Sequence, residues 1–259
     1  MADIRNYNAR VAGAGSRADA GIDEGLRAYM LKVYNLMALG LAITGVAAFG
    51  MVALTTTNDP ALAVATLGNG KMLTALGATV YGSPLRWVIM LAPLAMVFFL
   101  SFRVHKMSVS AAQTTFWLYA AMVGISLSSV FLVFTSGSIV QTFFITATAF
   151  GSLSLYGYTT KRDLSGMGSF MVMGLFGLII AMIVNIFLQS SAMQFAISGI
   201  GVLVFAGLTA YDTQNIKEMY FEGDDDVVAG RKAIMGALRL YLDFINLFMF
   251  LLQFLGNRE

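Results

Sequence analysis

Long runs of apolar residues, separated by short polar stretches, make up most of the chain. Seven runs have roughly the length needed to cross about 30 Å of hydrocarbon as α-helices, at a rise of about 1.5 Å per residue, although the second run is short for a crossing. We predict seven spans, at about 33–54, 87–102, 112–134, 139–158, 167–188, 194–212 and 234–255. The pattern therefore indicates an all-α integral membrane protein that contacts the lipid bilayer.

Composition narrows the function further. Of the 259 residues, 58% are hydrophobic and only 12% are charged, and the mean hydropathy is +0.76, well above that of an average soluble domain. The chain has no cysteine and one histidine, His105, which excludes cysteine nucleophiles and His-rich metal sites. We therefore expect no enzyme activity and no resident cofactor, and we expect no nucleic-acid partner.

The distribution of Lys and Arg predicts the orientation in the membrane. The N-terminal segment and the loops after spans 2, 4 and 6 carry five, two, two and three of them, whereas the opposite side carries two, none, none and one. Cytosolic loops are enriched in Lys and Arg, so we place the N-terminus in the cytosol and the C-terminus outside. Residues 1–27 lack an apolar signal region and are predicted to form a mobile cytosolic tail before the membrane domain of 28–259. The Gly-broken segment 61–82, between spans 1 and 2, is predicted to be an interfacial loop that is partly re-entrant.

Polar side chains interrupt the last span at a helical spacing. Residues Arg239, Asp243, Asn246, Phe250 and Gln253 follow one another at intervals of 4, 3, 4 and 3, which aligns them along one face. A helix surrounded by lipid would not carry such a stripe, so span 7 is expected to lie inside the bundle. For Asn246 and Gln253 the alternative is simple interhelical hydrogen bonding, which is common in membranes.

Two aspartates are the candidate functional groups, because an ionisable side chain within the membrane is a functional hypothesis by default. Asp243 lies roughly 16 Å deep and Asp212, at the end of span 6, roughly 8 Å deep from the same side. Two carboxylates in one low-dielectric pocket cannot both ionise at low cost, so the pair is expected to titrate as a unit near physiological pH. When both are charged they suit a hard cation such as Ca²⁺. Alternatively, Asp243 pairs with Arg239, and Asp212 is paired or capped locally at the membrane surface.

Several segments together resemble the Bax-inhibitor family of membrane proteins, in its bacterial branch. They are "GLRAYMLKVYNLMALGLAITG", "RVHKMS", "YAAMVGISLSSVF", "GYTTKRDLSGMGSF", "GLTAYDTQNIKEMY" and "ALRLYLDFINLF". The resemblance covers nearly the whole chain after residue 27. It implies a seven-helix fold with the last helix central, a place in the bacterial inner membrane, and activity as a pH-sensitive Ca²⁺ leak channel.

The resemblance also implies roles for individual residues. Asp212 and Asp243 correspond to the proton-sensing pair of the family, and Arg103 to an arginine that pairs with the span 6 aspartate and latches the pore shut. Asp163 corresponds to the acid of a loop near the cytosolic mouth. Some bacterial relatives carry a glutamate in span 2, whereas this span has no acid, so conduction is expected to differ.

Two other functions stay open at this stage. Paired carboxylates inside a membrane also serve proton-coupled secondary transporters, although no internal repeat is apparent in the chain. The protein could instead regulate a membrane protease or another membrane protein through its basic N-terminal tail. A retinal protein is excluded because residues 234–255 contain no lysine.

Overall fold

The computed structural model describes the backbone of residues 2–258 and the side chains of residues 24–258. The described chain is mainly helical. Its α-helices are α1 Ala2–Thr55, α2 Ala75–Gly82, α3 Leu85–Arg103, α4 Val109–Leu127, α5 Ser136–Thr159, α6 Ser165–Leu188, α7 Ser191–Glu218 and α8 Asp226–Leu255. Two 3-10 segments, Val104–Lys106 and Ser128–Leu132, extend α3 and α4. The predicted mobile tail at 1–27 falls mostly on residues whose side chains lie outside the described set, so it stays a prediction.

Among the residues that the structure describes, seven helices are long and apolar enough to span a membrane, which matches the predicted number. The apolar stretches are Glu24–Thr55, Leu85–Lys106, Val109–Leu132, Ser136–Thr159, Ser165–Leu188, Ser191–Glu218 and Asp226–Leu255. Each predicted span coincides with one of them, and the largest difference is at the first, which begins at residue 24 instead of 33. The helices run past the predicted ends because their terminal turns carry polar residues that a search for apolar runs leaves out.

Polar caps begin several of the helices. The side chains of Ser108, Thr135, Ser190 and Asp225 each accept a hydrogen bond from the backbone N–H three residues later, which is the usual way of satisfying the free N–H groups of a first helical turn. Short connections join α3 to α4, α5 to α6, and α7 to α8. The three connections, 104–108, 160–164 and 219–225, lie at one end of the bundle, which we call the basic face because most Lys and Arg residues of the described chain lie in these connections and in the adjoining helix ends.

The last helix is the most buried of the seven. Of its most apolar stretch 61% is buried, against 39% or less for the other spans, and it packs against α1, α4, α5 and α7. Tyr241 joins the last helix to two of these helices, because its hydroxyl bonds to the Thr44 hydroxyl of α1 at 2.6 Å and its ring lies edge-on to Phe116 and Tyr119 of α4. This position agrees with the one that the resemblance implied for the last helix.

Close backbone approach joins α5 to α7. A Cβ atom at Gly157 would lie 2.2 Å from the carbonyl oxygen of Ala210, so only glycine allows this contact. Beside it, the hydroxyls of Tyr34, Ser154 and Thr213 form a chain with spacings of 2.7 and 2.9 Å. The contact positions α7, and with it Asp212, against the rest of the bundle.

The segment between α1 and α3 differs from the predicted interfacial loop. It forms a three-stranded antiparallel sheet of order β1-β3-β2, with strands β1 Thr56–Thr57, β2 Ala65–Thr66 and β3 Met72–Leu73, followed by α2. We call residues 56–84 the cap, since they cover the end of α4: Lys71 donates to the carbonyl of Phe131 at 2.5 Å and Asn69 to that of Leu132 at 2.8 Å. Strands of two residues depend on pairing between distant parts of the chain, which local apolar patterns do not reveal.

Candidate functional site

A cavity of about 610 Å³ lies between α6, α7 and α8, and we call it the central cavity. One wall is the polar stripe of α8 that the sequence indicated: all five residues from Arg239 to Gln253 line it. The facing wall is apolar and comes mainly from α6, with the side chains of Val172, Leu175, Leu178, Ile179 and Met182. The cavity therefore combines one hydrophilic face with a hydrophobic surround.

The structure brings Asp212 and Asp243 together on the wall of this cavity. Both side chains line the cavity, and the charge of each carboxyl group acts on the other. Asp243 is only 4% exposed, and its Oδ2 atom finds no hydrogen-bond donor among the described residues. Ionised carboxylates only accept hydrogen bonds, so a hydrogen bond between the two groups would require a proton on one of them.

Helix pairing explains how the two aspartates meet despite their different depths. Gly236 of α8 packs against Ile216 of α7, where a Cβ atom would lie 2.9 Å from the isoleucine side chain. Asp212 lies four residues before Ile216 in α7, and Asp243 lies seven residues after Gly236 in α8. Because the two helices are antiparallel, both aspartates lie deeper than this contact, by about 6 and 10 Å. The remaining difference of roughly 4 Å is within the reach of the two side chains.

Arg239 provides the positive charge nearest to the pair. It lies one turn before Asp243, lines the same cavity, and its charge acts on both carboxylates. Among the described residues, no direct ion pair joins it to Asp212 or Asp243. The structure therefore does not support the alternative in which Asp243 only forms an ion pair with Arg239.

The structure does not bring Arg103 to Asp212. Arg103 is exposed at the end of α3, and within residues 24–258 it forms no ion pair. The reason is the position of α3, which packs against α2 and α4 at the side of the bundle. The latch that the resemblance implied is thus not formed in this arrangement, and its role stays a prediction.

Asp163 and Asn246 lie at different levels of the bundle. Asp163 is exposed on the basic face and accepts a hydrogen bond from the backbone N–H of Ser165 at 2.8 Å. Hydrogen bonds from the hydroxyl and backbone N–H of Ser165 lower the pKa of this carboxyl. Asn246 lines the central cavity and donates to the carbonyl of Leu242 at 2.8 Å, so its amide oxygen is available to the cavity.

A chain of amides at the other end of the cavity was not predicted as a unit. Gln253 accepts a hydrogen bond from Gln194 at 2.7 Å, and Gln194 accepts one from Asn185 at 3.2 Å. Only Gln253 was recognised from the sequence, because it continues the stripe of α8. Asn185 and Gln194 are single amides near the ends of apolar spans, so the only signal in the sequence was their polarity.

The two carboxylates do not form a complete metal site. Across residues 24–258, no group of three or more His, Cys, Asp and Glu side chains is placed to hold a metal ion. Calcium takes 6–8 oxygen ligands, of which two carboxylates supply at most about four. A cation at the pair would need water or the Asn246 amide oxygen as further ligands, which suits transient passage better than permanent binding.

Comparison with known proteins identifies the family. The family described as "Inhibitor of apoptosis-promoting Bax1" matches residues 26–259. The chain is 50% identical over 239 residues to an uncharacterised protein of Rickettsia prowazekii, covering 92% of each chain. It is 44% identical over 237 residues to the inner membrane protein YbhL of Escherichia coli, covering 91% of this chain and 94% of that protein. With its seven apolar helices, the protein is an integral protein of the bacterial inner membrane, and it belongs to the Bax-inhibitor family.

Proposed function

We propose that the protein is a pH-sensitive leak channel for Ca²⁺ and similar cations, with Asp212 and Asp243 as both proton sensor and cation site. The observation that carries the proposal is the placement of two carboxyl groups on the wall of one cavity inside a bundle of seven long apolar helices. Two buried like charges repel each other, so two neighbouring acids rarely serve only to stabilise a fold. A shared proton resolves the repulsion in one state, and a divalent cation resolves it in the other.

Proton and cation compete for the same oxygens. When the pair holds a proton, it carries one negative charge at most and attracts a divalent cation weakly. When the proton leaves, two negative charges face each other and bind Ca²⁺ more strongly. If one proton is displaced per ion, the apparent affinity for Ca²⁺ falls by about tenfold per pH unit on the acidic side of the transition.

Helix packing converts this local change into gating. Asp212 is on α7 and Asp243 on the buried α8, so loss of the shared proton pushes apart two helices that otherwise pack along their length. Because packed helices have discrete arrangements, a change in repulsion between them selects between two states. The Lys and Arg asymmetry predicts that the basic face is cytosolic, so we expect the pair to sense pH from that side.

The test is Ca²⁺ flux into vesicles that contain the purified protein and a calcium-sensitive dye, measured from pH 5 to 8. Asp212→Asn and Asp243→Asn are expected to lose the pH dependence, since an amide does not titrate in this range. Asp163→Asn is the matched control, because this carboxyl is exposed on the basic face and away from the pair. Flux that keeps its pH profile in both pair variants would refute the proposed sensor.

Proton-coupled transport is the second candidate, because the cavity beside the pair, at about 610 Å³, is large enough for a small solute. The same vesicles separate the two functions. A channel passes ions without accumulating them, whereas a coupled transporter accumulates its substrate when a proton gradient is imposed. Accumulation that collapses on addition of a protonophore would favour the transporter.

A further inference from the structure

A second large cavity opens at the side of the bundle, between α1 and α5. It has a volume of about 620 Å³, and we call it the lateral groove. Its walls are almost entirely apolar, and its floor is formed by Phe150 of α5 and Phe244 of α8. The groove is separate from the central cavity, and neither aspartate lines it.

The groove has the depth of one membrane leaflet. On α1 its lining runs from Arg27 to Ala38, and on the antiparallel α5 from Tyr158 to Ala147. Eleven residues of helix on each side correspond to roughly 16 Å. The hydrocarbon core is about 30 Å thick, so the groove reaches from the basic face to about the middle of the bilayer.

The walls of the groove below its mouth offer no unpaired hydroxyl to a polar ligand. The hydroxyls of Tyr34 and Ser154 bond to each other at 2.7 Å, so the only two hydroxyls within the groove below its mouth already have partners. Its width comes from small side chains, since Ala38, Ala147 and Gly151 face it. No atom lies within 4 Å of the Cβ position of Gly151, so the space is open at that point.

The mouth of the groove is positively charged. Arg27 lies there, exposed, and forms no ion pair with an acidic residue among the described ones. Lys217 adds a second positive charge at the same level: it donates to the carbonyl of Tyr158 at 2.9 Å and lies 5.3 Å from the centre of the Tyr158 ring. A guanidinium group matches the geometry of a phosphate and can form two parallel hydrogen bonds with it.

We infer that the lateral groove binds one anionic phospholipid of the inner leaflet, with an acyl chain along the groove and the headgroup phosphate at Arg27. Each part of the groove fits one part of such a lipid. The dry apolar walls suit a hydrocarbon chain, their depth suits one leaflet, and the basic mouth suits a negative headgroup at the level where headgroups lie. Basic pockets between transmembrane helices on the cytosolic side bind such headgroups in general.

The inference is tested by native mass spectrometry of the full chain, purified in detergent and mixed with phosphatidylglycerol or phosphatidylcholine of the same acyl chains. The unmodified protein is expected to retain one molecule of phosphatidylglycerol in preference to phosphatidylcholine. Arg27→Gln is expected to reduce that preference roughly tenfold, the effect of losing one charge-assisted contact. Glycerol 3-phosphate, the headgroup phosphate without acyl chains, is expected not to be retained.

A groove-filling substitution provides the sharper test. Gly151→Leu places a side chain into the open space without meeting protein atoms at its Cβ, so it should block the groove while the helix still forms. Gly177→Leu is the matched control, since Gly177 is an exposed glycine of α6 that also has no atom within 4 Å of its Cβ position. Retention is expected to be lost in the first variant and kept in the second.

Three results would overturn the inference. The first is that the unmodified protein retains both lipids equally. The second is that Gly151→Leu and Gly177→Leu retain the same amount of phosphatidylglycerol. The third is that glycerol 3-phosphate is retained as well as the lipid. The last result would identify a site for free phosphate instead. None of these measurements depends on ion flux, so the inference stands or falls separately from the proposed channel.

Discussion

Replacing Gly157 by alanine tests whether close packing of α5 on α7 positions the candidate site. The added Cβ atom would lie 2.2 Å from the carbonyl oxygen of Ala210 and 3.0 Å from its carbonyl carbon. Ordinary contact begins at about 3.4 Å, so α7 must move away from α5 by about 1 Å. The atoms it meets belong to the backbone, so no side-chain rotation can relieve the clash.

The expected cost follows from this geometry. Inserting a methyl group into a well-packed interface destabilises a protein by about 1–3 kcal/mol, and a rigid backbone contact places this site toward the upper end. The shift would also strain the 2.9 Å hydrogen bond between Ser154 and Thr213. Because Ala210 is two residues before Asp212, the movement reaches the aspartate pair as well, so the pH dependence of flux should change together with the stability.

The assay compares two glycines of the same helix. Gly151→Ala adds the same methyl group where no atom lies within 4 Å, so it should leave the stability unchanged or raise it by up to about 1 kcal/mol through better helix propensity. Thermal unfolding in detergent, followed by circular dichroism, should show Gly157→Ala several degrees below the unmodified protein and Gly151→Ala at or above it. Equal melting of the two variants would refute the packing argument.

Three further predictions concern other contacts. Tyr241→Phe removes the hydroxyl that bonds to Thr44 at 2.6 Å but keeps the ring contacts, so the free energy of unfolding should fall by about 1 kcal/mol. An unchanged unfolding midpoint would contradict this prediction. Arg239→Gln should move the pH transition of vesicle flux to higher pH, because the loss of a nearby positive charge favours proton uptake by the pair. Arg103→Gln should leave the transition in place, since Arg103 forms no ion pair among the described residues. The reverse result would favour the arginine latch. Asn69→Ala should speed proteolysis of the cap in right-side-out vesicles, since it removes one of the hydrogen bonds that join the cap to the end of α4, at 2.8 Å. An unaltered cleavage rate would show that this bond does not hold the cap in place.

Much of the site could be predicted from local sequence pattern. Helical periodicity placed five polar residues on one face of the last span, and the structure shows all five lining one cavity. The proximity of Asp212 and Asp243 also followed from the sequence, because consecutive antiparallel spans with a short connection must lie side by side. Their predicted depths of roughly 8 and 16 Å left it undecided whether they share one site, and the levels at which α7 and α8 pack place both on the wall of one cavity.

Features that join distant parts of the chain were beyond prediction. The amides of Asn185 and Gln194 form a hydrogen-bonded chain only together with Gln253, about 60 residues later. The cap depends on strands of two residues that pair across a long loop. The position of α3 at the side of the bundle, which separates Arg103 from Asp212, likewise has no local signal.

The sequence by itself determined that the chain crosses the membrane as seven helices, and which face of the last helix is polar. Both follow from the cost of exposing backbone and charged groups to hydrocarbon, a cost that acts on each segment separately. Only the tertiary structure decided that the two carboxylates line one cavity, which arginine lies beside them, and where the lateral groove opens. Those outcomes depend on the levels and distances at which helices pack, and packing is set by close contacts such as Gly157 on Ala210 between residues far apart in the chain.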